Sequence, residues 1–181
     1  MGAVHVHEFI SLDGVIDTPS WTFEYGFDER MGEAIGAVTE RCAGILLGRT
    51  TYAMFEQGWA DRTVEDDPGA PFFNDTTKYV VSSTLTEPGW QHTTVLDGDP
   101  VERVRGLKEQ PGADIVVTGS ITLCHALIGA GLVDEYRLFT YPVVQGRGRR
   151  LFPDGAAEGR LRLVECRGFR GGVTYSRYAQ G

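Results

Sequence analysis

Two short stretches carry the most suggestive chemistry in the chain. Gly48-Arg49-Thr50-Thr51 and Gly119-Ser120-Ile121-Thr122 each follow a brief apolar run and each precede a helical pattern. In a parallel sheet such strand-to-helix turns lie at the carboxyl ends of strands, where ligands collect against free helix N–H groups and a partial positive charge. The glycines allow the backbone to approach a ligand, the hydroxyls can donate to phosphate oxygens, and Arg49 can form a charge-assisted fork to a phosphate. For either turn alone, a glycine that bends the chain and hydroxyls that cap a helix explain the residues as well. As a pair they are expected to form two halves of one dinucleotide site. Ser82-Ser83-Thr84 follows a third strand and could share a phosphate with Arg49, and an arginine beside a 2′-phosphate separates NADP sites from NAD sites. A hydroxyl-rich turn after Val81 explains the same three residues equally well.

Other chemistry is thinner. Gly146-Arg147-Gly148-Arg149-Arg150 resembles half of a dinucleotide fingerprint, but it leads into Leu151-Phe152-Pro153 rather than a helix. His5 and His7 share one face of a strand, with no acid or cysteine set to complete a metal site, so a surface or packed role is expected. Cys42, Cys124 and Cys166 are far apart, form no CxxC pair and read as free buried thiols. Nucleophile elbow, Walker loop, HExxH and zinc-deaminase patterns are all missing from the sequence.

The elements that must position these turns follow from the periodicity. Val4 to Phe9 alternates as a half-buried strand would and runs into the turn Ser11-Leu12-Asp13-Gly14. Phe27 to Arg41 carries Met31, Ala34, Ile35 and Val38 at helical spacing, with a start near Asp28. Ala43 to Leu47 is a buried strand, and Tyr52 to Phe55 a short helix. Asp61 to Pro71 is acidic and reads as an exposed loop. Strands are expected at Lys78 to Ser82, His92 to Leu96 and Asp114 to Val117, and helices at Pro100 to Glu109 and Ile121 to Ala130. Pro111-Gly112 stops the first of these helices, and Gly131 caps the second. Beyond Val133 come three long strands, Glu135 to Val144, Leu161 to Phe169 and Val173 to Ala179, the last two joined as a hairpin at Gly171-Gly172. The pattern is one α/β domain over residues 1–181, a mixed sheet with helices on both faces and antiparallel strands at the end.

Composition excludes several function classes. The 181 residues carry 17 basic and 25 acidic side chains, a net charge of -8, which argues against nonspecific nucleic-acid binding. That average hides two unlike parts: Met1 to Val133 holds 8 basic and 20 acidic residues, Asp134 to Gly181 holds 9 and 5. Glycine is frequent, 24 residues, yet scattered among apolar segments rather than gathered in a disordered tract. No apolar run approaches the roughly 20 residues of a membrane span, and the N-terminus has no export pattern. A cytoplasmic protein without membrane or nucleic-acid partners is expected.

Taken in order, several segments resemble the dihydrofolate-reductase-like superfamily, specifically stand-alone proteins similar to the reductase domain of bacterial riboflavin biosynthesis. They are Ser11-Leu12-Asp13-Gly14, Leu46-Leu47-Gly48-Arg49-Thr50-Thr51-Tyr52, Lys78-Tyr79-Val80-Val81-Ser82-Ser83-Thr84-Leu85, Val117-Thr118-Gly119-Ser120-Ile121-Thr122-Leu123, and Gly131 to Glu135 leading to Pro142-Val143-Val144-Gln145-Gly146. The resemblance implies a three-layer α/β/α fold, NADPH as hydride donor, a small heteroaromatic substrate, pterin-like or pyrimidine-like, and a homodimer. By position, Gly48, Arg49, Thr50 and Thr51 would hold the adenosine end of NADPH with Ser82 and Ser83. Gly119, Ser120, Ile121, Thr122 and Leu123 would hold its pyrophosphate. Riboflavin-pathway reductases carry an acidic residue and consecutive glycines where this chain has Thr118-Gly119-Ser120-Ile121. The alternatives are the aminouracil reductase step of that pathway itself and a non-catalytic NADP-binding sensor. In dihydrofolate reductases the proton donor lies near the start of the first helix, which here offers Asp28, Glu29 and Glu33. Asp13 faces the same cleft, though it also suits the turn before Gly14. Trp21, Phe23, Tyr25 and Phe27 alternate beside these acids and could stack on a flat ring or seal the core.

Overall fold

The computed structural model describes residues 2–26, 28–110, 112 and 114–181. Phe27 and the expected helix stop at Pro111 therefore lie outside the described residues. The strands are β1 (Val4–Ser11), β2 (Gly44–Gly48), β3 (Thr77–Val81), β4 (Thr93–Leu96), β5 (Ile115–Thr118), β6 (Glu135–Tyr141), β7 (Leu161–Gly168) and β8 (Thr174–Gln180). The helices are α1 (Glu29–Thr39), α2 (Arg49–Trp59), α3 (Ala70–Asp75), α4 (Pro100–Lys108) and α5 (Ile121–Gly129). All eight strands join one sheet in the order β4-β3-β2-β5-β1-β6-β8-β7. Strands β1 to β6 run parallel, and β8 is antiparallel to both β6 and β7. The expected mixed sheet with antiparallel C-terminal strands is present.

The chain needs two helical layers because both faces of the central strands are apolar. On one face Val4, Val6, Ile10, Ile115, Val117 and Leu46 pack against Val104 and Leu107 of α4 and Cys124 and Leu127 of α5. On the other, Val116, Ile45, Leu47 and Phe139 pack with Met31, Ala34 and Val38 of α1 and Tyr52 of α2. Parallel strands covered on both sides bury nearly every side chain. This corrects the half-buried reading of β1: His5, Glu8 and Ser11 are all buried, as are Val4 and Val6. The alternation belongs to a central strand with two different buried rows.

Several boundaries move for identifiable reasons. Helix α2 starts at Arg49 rather than near Tyr52, so Arg49, Thr50 and Thr51 form its first turn. β6 ends at Tyr141, because Pro142 cannot continue a ladder. The acidic segment from Asp61 is mostly exposed as expected, but it closes in the unanticipated helix α3, with a proline at its first positions. Ser20–Tyr25, read as an aromatic loop, is a 3-10 turn. A Schellman closure ends α5, with the Gly131 N–H donating to Ile128 and the Leu132 N–H to Leu127, and with Gly131 at φ +65°. Of the three free thiols, Cys124 is buried, Cys42 half-buried and Cys166 exposed, which corrects the expectation for Cys166.

Candidate active site

β2 and β5 are neighbours, so the two glycine turns emerge side by side at the carboxyl edge of the sheet. They are tied to each other. The Gly48 N–H donates to Ser120 Oγ at 2.7 Å, and the Ser120 N–H donates to Thr51 Oγ1 at 2.9 Å. Gly119 at φ +62° and Ser120 at φ +59° form two successive left-handed residues, which fold the chain back so that α5 begins beside α2. A Cβ on Gly119 would lie 2.9 Å from Thr51 Cγ2, so glycine is required there by both backbone and contact.

Helix capping separates these two helices from the other long ones. The first turns of α1 and α4 are satisfied by Asp28 and Asp99, whose side chains accept from Arg30 N–H and Glu102 N–H. Neither α2 nor α5 has a side-chain cap. Orphan N–H groups at two adjoining helix starts are chemically suited to receive an anion. Arg49 and Thr50 are exposed at the mouth, Thr51 is half-buried, and Arg49 makes no side-chain hydrogen bond or ion pair with another described residue. In the second turn, Thr122 is exposed, whereas Ile121 and Leu123 point into the core and offer only their backbone. Ser82 is buried and its Oγ already accepts from the Thr84 and Leu85 N–H groups; Ser83 is exposed.

Beside these turns, α1 and α2 cover one face of the sheet. α1 sits over β6 and the β7–β8 hairpin: Arg137 Nη1 donates to Val38 O, Arg170 N–H donates to Asp28, and the Arg30 guanidinium lies over the Phe169 ring. α2 packs on β2 and β3. The middle of the sheet between them is less covered, and His7 and Phe9 of β1 and Thr118 of β5 are only half-buried. The 3-10 turn closes one end, with Trp21 buried and Tyr25 edge-on to Tyr141, which is itself edge-on to Phe9. Phe23, placed with Trp21 as a ring-stacking candidate, points to solvent at 88% exposure.

The four candidate acids separate clearly. Asp13 accepts from Ser11 Oγ and from the Gln145 and Gly146 N–H groups, and these bonds hold its carboxyl down to about 2. It ties the exit of β1 to the loop after β6. Asp28 accepts from Arg30 Nε and Nη2 and from the Arg30 and Arg170 N–H groups, which hold it well below the usual carboxylate range. Both are anchored carboxylates that stay ionised. Glu29 and Glu33 stand exposed on α1.

A fifth carboxyl escaped the sequence reading. Glu8 is buried directly beneath the second turn, with the Gly119 N–H and the Cys124 thiol facing it, the latter at 3.8 Å. Burial raises its pKa well above the normal value and so favours its protonated form. The sign was in the row Val4, Val6, Glu8, Ile10, where one acid interrupts an apolar series. The order and direction of the strands define an α/β fold of the dihydrofolate-reductase type. Residues 3–175 match the family described as the RibD C-terminal domain, and the chain belongs to that family. It is 35% identical over 132 residues to the protein YyaP of Bacillus subtilis (strain 168), covering 71% of this chain and 69% of that one. Among solved structures, a putative riboflavin biosynthesis protein from Shewanella sp. PV-4 superposes with a TM-score of 0.79 at 20% identity, covering 99% of each chain. Dihydrofolate reductase from Enterococcus faecalis complexed with NADP(H) superposes with a TM-score of 0.68 at 15% identity, covering 99% of this chain and 97% of that one.

Proposed function

We propose that the protein is an NADPH-dependent reductase of a small, flat heteroaromatic substrate, pterin-like or pyrimidine-like. The observation that carries this reading is the pair of uncapped helix starts, α2 and α5, tied together at the carboxyl edge with Arg49 unpaired beside them. Backbone N–H groups of both first turns, with Thr50 and Thr122, suit a pyrophosphate, and Arg49 with Ser83 suits a 2′-phosphate. When bound, NADPH supplies a hydride; the chain's own part is to orient the two rings and keep water away. Asp13 and Asp28 fit this reading as anchors of the loops rather than as proton donors, since each is saturated with donors and ionised. Glu29 or Glu33, or water admitted at the cleft, then brings the proton.

The anchored state of Asp13 and Asp28 also favours a second reading, an NADP-binding sensor without turnover. The absorbance of NADPH during incubation with dihydrofolate or an aminouracil separates the two: steady oxidation supports the reductase, and binding without oxidation of NADPH supports the sensor. The homodimer and cytoplasmic location belong to this reading through the family resemblance, and sedimentation of the purified chain measures the first.

A further inference from the structure

His7 is a polar residue whose ring nitrogens bond no other described residue. It stands in the middle of β1, in register with Thr118 of β5 and Arg137 of β6, on the sheet face left half-covered between α1 and α2. Phe9 and Phe139 meet its ring edge-on, with centroids 5.5 Å away in both cases. Its Nδ1 is buried without a hydrogen-bond partner, and no described residue bonds its other nitrogen. Leaving a desolvated imidazole nitrogen unpaired has a free-energy cost, and a group outside the chain is one way to meet it. Arg137 does not, because its guanidinium is committed to Glu135 and to Val38 O. Nor does His5, which lies nearer the start of the strand beside Asp114 and Glu135.

We infer that His7 reads the in-plane edge of a flat, uncharged heterocycle bound in this cleft, a specificity role that rests on the reductase reading above. The imidazole offers one donor or one acceptor in the plane of its ring, and Phe9 beside it offers an aromatic surface. Burial, reinforced by Arg137, pushes its pKa down to about 4, so the ring is neutral at physiological pH. A neutral reader matches a ring nitrogen or carbonyl better than a charged group. Thr118 adds a hydroxyl on the neighbouring strand, in register with His7.

The test uses the full chain saturated with NADPH, with its histidines isotope-labelled and His7 assigned by comparison with His7→Asn. Dihydropterin and diaminouracil are titrated separately. At least one ring is expected to bind and to shift the His7 imidazole resonances. His7→Phe, which keeps volume and aromatic packing, should weaken that ring about tenfold or more while leaving NADPH affinity unchanged. His7→Asn, which keeps an in-plane polar group, should recover part of the loss. A ring that binds without moving the His7 resonances overturns the inference and leaves the reductase reading standing. Failure of both rings to bind overturns it too, and NADPH affinity in the same samples then judges the cofactor reading separately. If His7→Phe does not fold, the wild-type resonances decide alone.

Discussion

Replacing Gly119 with alanine is the most informative single perturbation of the phosphate turn. The residue sits at φ +62°, and an added Cβ would meet Thr51 Cγ2 at 2.9 Å and Oγ1 at 3.3 Å. Holding alanine in the left-handed region costs about 1–2 kcal/mol. Relief of the contact requires Thr51 to move, which sacrifices the 2.9 Å bond from the Ser120 N–H and about 0.5–1.5 kcal/mol more. The expected loss of stability is therefore about 1.5–3.5 kcal/mol. Gly129→Ala is the matched control, because Gly129 lies in the last turn of the same helix and a Cβ there meets nothing within 4 Å. It should gain up to about 0.5–1 kcal/mol. Urea unfolding followed by tryptophan fluorescence measures both variants, and NADPH titration of each measures the turn. Gly119→Ala should weaken NADPH about tenfold, the equivalent of about 1.4 kcal/mol, and Gly129→Ala should leave it unchanged. Wild-type NADPH affinity in Gly119→Ala would refute the reasoning that this turn holds the cofactor.

Other consequences can be checked in parallel. Arg49→Ala should reduce NADPH affinity far more than NADH affinity, read by paired titrations. Because the fold favours the protonated form of Glu8, which ionises in the unfolded chain, stability should fall as pH rises above about 4.3 until the folded-state pKa is passed. Glu8→Gln should flatten that slope in unfolding measurements across the range and be the more stable protein at pH values above neutrality. Asp28 has the opposite sign: its depressed pKa adds stability that is intact above the unfolded value and is lost as pH falls, so Asp28→Asn should be destabilised at neutral pH and less acid-sensitive. Lys78, with no exposed surface, donates to Phe73 O and Asn74 O and lies over the Trp90 ring. Lys78→Met leaves those two carbonyls unpaired and should cost about 1–3 kcal/mol in thermal or urea unfolding.

What the sequence disclosed depended on whether the signal was local. Gly48 and Gly119 were legible because each ends an apolar run and opens a helical one, and Asp28 because an N-cap aspartate precedes a clear stripe. The true start of α2 was not, since Thr50 and Thr51 are poor helix formers and only their position against the second turn makes them helical. Gly69 and Pro71 do mark the opening of α3, but the acidic residues before them masked it. Burial was harder still. Val4 to Ser11 looks like a half-buried strand until β5 and β6 are known to flank it, and only then do Glu8 and His7 become conspicuous. The hydrogen bonds that immobilise Asp13 come from Gln145 and Gly146, far along the chain, so its two roles were inseparable in sequence. Trp21 and Phe23 differ in burial for a related reason, because a 3-10 turn, unlike a strand, sends alternate aromatics to different surroundings.

Two tied, uncapped helix starts and Arg49, unpaired among the described residues, make up the proposed NADPH site. Its most direct test is a pair of equilibrium titrations of the wild-type chain with NADPH and NADH under one buffer and salt concentration. Saturable NADPH binding at least tenfold tighter than NADH binding is expected, the roughly 1.4 kcal/mol or more that a charge-assisted arginine contact to the 2′-phosphate contributes. Equal affinity for the two, or binding of neither, would contradict it.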